Sequence, residues 1–268
     1  MDNGFWFDSR HSLDDMGVIA IRDKKRTVSA PGEVRSYAVG GMQGDLAFGD
    51  SMELKPYTQV VRLYADVPLD TDTAATAKWR ELVAWLGVGR CPLVWDCEPD
   101  KQIMAEVVDY TGDPSGWVDE GLKVTLKCQP LMRSVTPMRT TISIDYMPPD
   151  SVTLPIDTML PAPLDISIKV LGACTLDALI IRVGDSIVRA TGLGVGTGET
   201  LRIRMEYPCG AEIIRQDGSV EMALKYFTSF QRLEAVNGDQ LTLVPIMSAE
   251  NTEEISAEVT IEARGVWR

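Results

Sequence analysis

KWRELVAWLGVG, Lys78 to Gly89, decides how the rest of the chain is read. Trp79, Leu82, Val83 and Leu86 fall at i, i+3, i+4 and i+7, one stripe of an α-helix, and Trp85 beside them widens it. Upstream, DTDTAATA supplies the N-cap, Asp72 or Thr73, whose side-chain oxygen can accept a free backbone N–H of the first turn. Downstream, Gly87 suits the left-handed position that ends a helix. A helix of this length is marginal alone in water, so its stripe has to lie on a sheet.

Outward from the helix the chain reads as strand. YTQVVRLYADV, Tyr57 to Val67, is β-branched and aromatic and is bracketed by Pro56 and Pro68. On the other side, CPLVWDCEPDKQIMAEVVDY is two extended runs around the turn residues Glu98, Pro99 and Asp100. LKVTLKCQP follows, with apolar alternation at Leu122, Val124, Leu126 and Cys128. Nearer the N-terminus, MGVIAIR is a strand, and glycines and Pro31 break SAPGEVRSYAVGGMQGDLAFGD into a hairpin-like excursion.

MPPDSVTLPIDTMLPAPLD holds five of the fifteen prolines and reads as an extended linker. Beyond it, ISIKVLG, LIIRVG, SIVRAT, TLRIRMEY, GAEIIR, FQRLEAV, QLTLVPIM and AEVTIEARGVW recur at the spacing of an all-β sandwich. The expected fold is mainly β. A sheet domain with one covering helix spans residues 1–146, a Pro-rich linker 147–163, and a β-sandwich 164–268.

Composition narrows the function classes. The net charge of −13 is shared, with 16 acidic and 10 basic side chains in residues 151–268 and 23 against 16 before them. The one short basic cluster, RDKKR at residues 22–26, sits near Asp14 and Asp15, so no phosphate-binding face is expected. No run of about 18 apolar residues is present to cross a bilayer, and MDNGFWFDSRHSLDD lacks the basic cap and apolar core of a signal peptide. A protein made in the cytoplasm, with no membrane contact, is the expectation. Five widely spaced cysteines, Cys91, Cys97, Cys128, Cys174 and Cys209, read as buried thiols.

Catalytic and cofactor patterns are weak. His11 is the only histidine, and no G-x-S-x-G elbow supplies it with a nucleophile. No C-x-x-C pair is present, and no zinc arrangement mixing Cys and His can be built. GLGVGTGE, Gly192 to Glu199, lacks the Lys-Ser or Lys-Thr of a phosphate loop and precedes a strand. The pairs Asp14 with Asp15 and Glu253 with Glu254 read as solvated surface rather than a glycosidase pair. No catalytic residue, metal ligand or cofactor is therefore expected. Of six tryptophans, only Trp117, in the loop GDPSGWVDEG, is a candidate exposed contact for a glycan or protein partner.

Several phrases, in this order along the chain, carry a resemblance. FWFDSRHSLDDMGVIAI is an aromatic strand, a Ser-containing turn, an acidic pair and a Gly before the next strand. The Pro-Gly and Gly-rich excursion, the helix KWRELVAWL, the hairpin and LKVTLKCQP follow, and EVTIEARGVWR ends in Trp and a basic residue. In that order the chain resembles the distal tail proteins of long-tailed, non-contractile (siphovirus-type) bacteriophages, and its linker is richer in Pro and Met than is common there.

The resemblance implies a non-enzymatic virion protein at the tail tip. It would form a homohexameric ring through the N-terminal domains, with a galectin-like β-sandwich outside. The implied partners are the tail tube protein, the tail hub and the receptor-binding or fibre proteins, with DNA only passing through the lumen. A carbohydrate-binding module, a cell-wall glycan adhesin, is the alternative, suggested by the sandwich-like second half.

Overall fold

The computed structural model describes residues 4–22, 36–38, 45–47, 55–69, 71–112, 121–145, 151–206, 208–250 and 254–267. The chain divides into two compact units, Met1–Val135 and Thr136–Trp267.

In the first unit, the strands are β1 (Phe5–Phe7), β2 (Arg10–His11), β3 (Val18–Arg22), β4 (Ser36–Ala38), β5 (Asp45–Ala47), β6 (Tyr57–Ala65), β7 (Cys91–Trp95), β8 (Lys101–Thr111) and β9 (Leu122–Ser134). All but β4 and β5 form one antiparallel sheet in the order β2-β1-β7-β8-β9-β6-β3. The short pair β4–β5 is what is described of the glycine-broken excursion. Helix α1 (Asp72–Leu86) covers one face of the sheet. Leu122, Val124, Leu126 and Cys128 alternate inward as their pattern requires, and they meet Val61, Leu63, Leu82, Trp85 and Leu86 in one core. Each of these larger side chains contributes about 2 kcal/mol by leaving water.

Both ends of α1 differ from expectation. The N-cap is Thr71, not Asp72 or Thr73: its Oγ1 accepts the N–H of Ala74 at 3.2 Å, and Asp72 becomes the first helical residue, its carboxylate in the positive first turn. Gly87 keeps φ −80° and closes the helix by donating its N–H to the Val83 carbonyl at 2.9 Å. The left-handed residue comes two positions later, at Gly89 with φ +93°. Trp85 proves central to the buried stripe rather than marginal, while Val83 is half-buried.

The second unit is a β-sandwich. Its strands are β10 (Met138–Ile144), β11 (Val152–Thr153), β12 (Ala162–Val170), β13 (Cys174–Val183), β14 (Ser186–Val195), β15 (Thr200–Arg204), β16 (Gly210–Ile214), β17 (Val220–Met222), β18 (Phe227–Phe230), β19 (Glu234–Ala235), β20 (Gln240–Ala249), β21 (Ala257–Ala263) and β22 (Val266–Trp267). One sheet runs β10-β21-β12-β15-β16-β17, with β19 also paired to β12, and the other runs β11-β20-β13-β14-β18. Leu164, Ile166, Ile168, Ile203, Val259 and Ile261 from the first sheet, and Leu176, Leu179, Ile181, Val188 and Leu241 from the second, are fully buried. That is the alternation two packed sheets require.

The division falls at Val135 and Thr136, ahead of the expected boundary, because β10 pairs along its whole length with β21. The described part of the expected linker is packed into this unit. Val152 and Thr153 pair with β20, Leu154 and Ile156 are fully buried, and Ala162 opens β12. Proline in this segment sets extended backbone that docks on a sheet.

Candidate interaction surfaces

The N-terminal corner of the first unit is built around His11. The two-residue turn between β1 and β2 places Asp8 at φ 49° and Ser9 at φ 66°, the left-handed pair that a tight hairpin demands. This turn brings His11 opposite Trp6, with ring centroids 5.1 Å apart. The buried imidazole lies between two carboxylates: Nε2 is 3.1 Å from Asp96 Oδ1, and Nδ1 is 3.0 Å from Asp14 Oδ2. Asp15 accepts the backbone N–H of His11 at 2.7 Å, and the Ser12 hydroxyl accepts that of Phe5 at 3.0 Å. The Ser12 hydroxyl is engaged by the backbone, and among the described residues no hydrogen bond joins it to His11. The cluster ties the first hairpin to the β7–β8 turn, and Asp14 and Asp15, read from sequence as solvated surface, are part of it.

The sheet face opposite α1 is the larger candidate surface. Arg62 on β6 stands directly across from Lys123 on β9, a like-charge pair that costs stability on a sheet. Neither has an ion-pair partner among the described residues. Lys127 and Arg90 share Glu106, at 3.5 and 3.6 Å. Apolar side chains flank this basic centre: Ile21, directly opposite Arg62, is 53% exposed, and Trp6, opposite Val94, is 44% exposed. A basic centre with apolar margins, on a chain of net charge −13, suits an acidic protein surface.

Trp117 lies outside the described residues. Trp6, unlike the buried tryptophans of the other strands, is an exposed aromatic. It belongs to FWF, where Phe5 and Phe7 point inward and period-two alternation turns the middle ring outward. Trp85, Trp95 and Trp267 are buried, and Arg22, from the basic cluster, stacks its guanidinium 4.4 Å from the Trp95 ring centroid.

Cys91, Cys128 and Cys174 are buried as expected, whereas Cys97 is half-buried and Cys209 exposed. The GLGVGTGE segment is ordered by β14 and by a turn in which Glu199 accepts the Gly196 N–H at 2.8 Å and pairs with Arg215 at 2.9 Å. Glu253 is outside the described residues. Among the described residues no three of His, Cys, Asp and Glu gather to hold a metal ion, and no helix is long and apolar enough to cross a membrane.

No protein-family model matches the sequence, and no curated protein matches it. Among solved structures, the chain is similar to the SPP1 Dit protein (gp 19.1), described as a paradigm of the hub adsorption apparatus in phages infecting Gram-positive bacteria. The TM-score is 0.70 at 13% identity, over 99% of this chain and 99% of that one. Chains of the phage P2 baseplate in its activated conformation, with Ca and with Sr, align at TM-scores of 0.47 and 0.46, too low to argue a shared fold. Their identities are 7% and 8%, over 99% and 97% of this chain and 98% and 97% of theirs. From end to end, then, this chain has the fold of a phage hub protein.

Proposed function

We propose that the protein is a structural component of a phage tail tip, the distal tail protein of a long non-contractile tail. The observation that carries this reading is the fold likeness to the SPP1 Dit protein, which spans 99% of both chains and so includes the helix-covered sheet and the sandwich together. It agrees with the order of sequence phrases from the aromatic opening to the Trp-terminated end. The role is assembly rather than catalysis: six copies form a ring, tail tube on one side, hub and receptor-binding or fibre proteins on the other. The basic outer face of the first sheet, with Arg62 and Lys123 unpaired among the described residues, is suited to one of these contacts. DNA passes through the lumen without a binding site, and the protein resides in the virion after synthesis in the host cytoplasm.

Light scattering after size exclusion tests the ring. Six copies of 29.5 kDa give a species of about 177 kDa. A chain that stays monomeric both alone and when mixed with the tail tube and hub proteins of its own phage would overturn the reading.

A further inference from the structure

The outer face of the second unit's larger sheet carries a polar recess of about 320 Å³, lined by Arg139, Asp165, Ser167, Arg202, Arg204, Thr260 and Glu262. No apolar side chain lines it. Its floor is set by register: Glu262 on β21 stands between Arg139 on β10 and Asp165 on β12, and Ser167 on β12 stands between Thr260 and Arg202. Arg139 Nε donates to Glu262 Oε1 at 2.7 Å. At the far side Glu212 accepts from both Arg202 and Arg204 at 3.3 Å.

Several features of the recess cost stability, although Asp165 also serves the fold by accepting the backbone N–H groups of Met205 and Glu206 at 2.8 and 3.2 Å. Asp165 and Glu262 are like charges directly opposite one another. Burial, and then the nearby Glu262, push the Asp165 carboxyl above its ordinary range. Arg204 Nε is buried with no hydrogen-bond partner among the described residues. The Ser167 and Thr260 hydroxyls likewise bond to nothing described, though they face each other across the ladder. Local violations of this kind gather where a surface is shaped for a ligand.

The charges determine the ligand. Three guanidinium groups meet the two lining carboxylates of Asp165 and Glu262, and Glu212, beyond the lining, engages Arg202 and Arg204, so little net charge remains to favour an ion. It offers fixed donors and fixed acceptors side by side, with two hydroxyls that are both. A vicinal diol satisfies such an array, each hydroxyl donating to a carboxylate and accepting from a guanidinium. We propose that this recess binds a neutral saccharide, with Arg204, Ser167 and Thr260 as the contacts that recognise it. Among the described residues no aromatic platform lies in the recess, so polar contacts carry the recognition. This inference stands apart from the tail-tip reading and survives or fails without it.

The test is amide chemical-shift titration of the full chain with glucose, galactose and N-acetylglucosamine in turn, with glycerol phosphate as the charged control. At least one sugar is expected to move the Ser167 and Thr260 amides saturably. Binding should weaken about tenfold in Arg204→Met and in Thr260→Val, two outward-facing changes that leave the melting temperature in place. No saturable shift with any of the three sugars overturns the proposal, as do shifts unaltered in both variants. Binding of glycerol phosphate alone also overturns it, in favour of an anion site.

Discussion

The indole Nε1 of Trp85 donates a hydrogen bond to the backbone carbonyl of Phe7 at 2.9 Å, joining helix α1 to strand β1 of its sheet. The same ring stacks on Phe5, with centroids 5.5 Å apart, and meets Phe7 edge-on at 6.2 Å. Trp85→Phe keeps most of the packing and removes this buried hydrogen bond, so it should cost about 0.5–1.5 kcal/mol. Trp85→Ala adds a cavity and should cost about 3–5 kcal/mol. Urea unfolding of the two variants separates the terms, and equal costs would mean the hydrogen bond contributes nothing.

Gly4 leaves room for the His11–Asp96 pair. A Cβ at this position would lie 2.4 Å from Asp96 Oδ2 and 2.5 Å from His11 Nε2, distances that only movement of the pair relieves. Gly4→Ala should therefore destabilise the first unit by about 1–3 kcal/mol. In an Asp96→Ala background the same change should cost much less, because one of the two blocking side chains is gone. Full additivity of the two substitutions in thermal melts would show that Gly4 is not shaped by this pair.

Cys128 and Tyr57 form a buried thiol–phenol contact in the first core. Burial, and for Tyr57 also the neighbouring Cys128, pushes both groups up to about 12. The folded chain keeps the Cys128 thiol neutral while the unfolded chain ionises it from its ordinary 9.0. The stabilisation is thus complete below pH 9 and lost as pH climbs toward 12, the loss from this thiol reaching about 1 kcal/mol at pH 10. Alkaline melts should show that decline, and Cys128→Ala should flatten it. In parallel, a thiol reagent at pH about 8 should modify Cys209 at once and Cys97 more slowly, leaving Cys91, Cys128 and Cys174 until the chain unfolds.

How much of this could be read from sequence follows from which interactions are local. The stripe in KWRELVAWL and the alternation in LKVTLKCQP are fixed by the period of their own backbone, and both appear where the pattern put them. Thr71 was missed as the cap because DTDTAATA offers several equivalent oxygens, and the choice among them depends on where the chain enters the helix. β10 was missed because RTTISI is short and half polar, and it is a strand because β21, more than a hundred residues away in sequence, supplies its hydrogen bonds. The packing of Val152, Thr153, Leu154 and Ile156 is hidden for the same reason: prolines announce extended backbone and do not say whether a sheet edge is waiting.

The surfaces were less legible still. The exposure of Trp6 follows from alternation within FWF and was available to a stricter reading. The Arg62–Lys123 juxtaposition and the recess around Arg204 depend on register between strands distant in sequence, which no single stretch encodes.

The pairing of β10 with β21 also has a mechanical side. Met138, where β10 begins, lies opposite Ala263, where β21 ends, and the ladder closes at Ile144 and Ala257. Tension entering through the peptide ahead of Met138 and leaving through the one after Ala263 pulls on the same end of that ladder. Its hydrogen bonds then open one after another from the Met138 end, like a zip, rather than resisting together in shear. Load applied at those two peptides therefore opens this seam with the strands between β10 and β21 still paired.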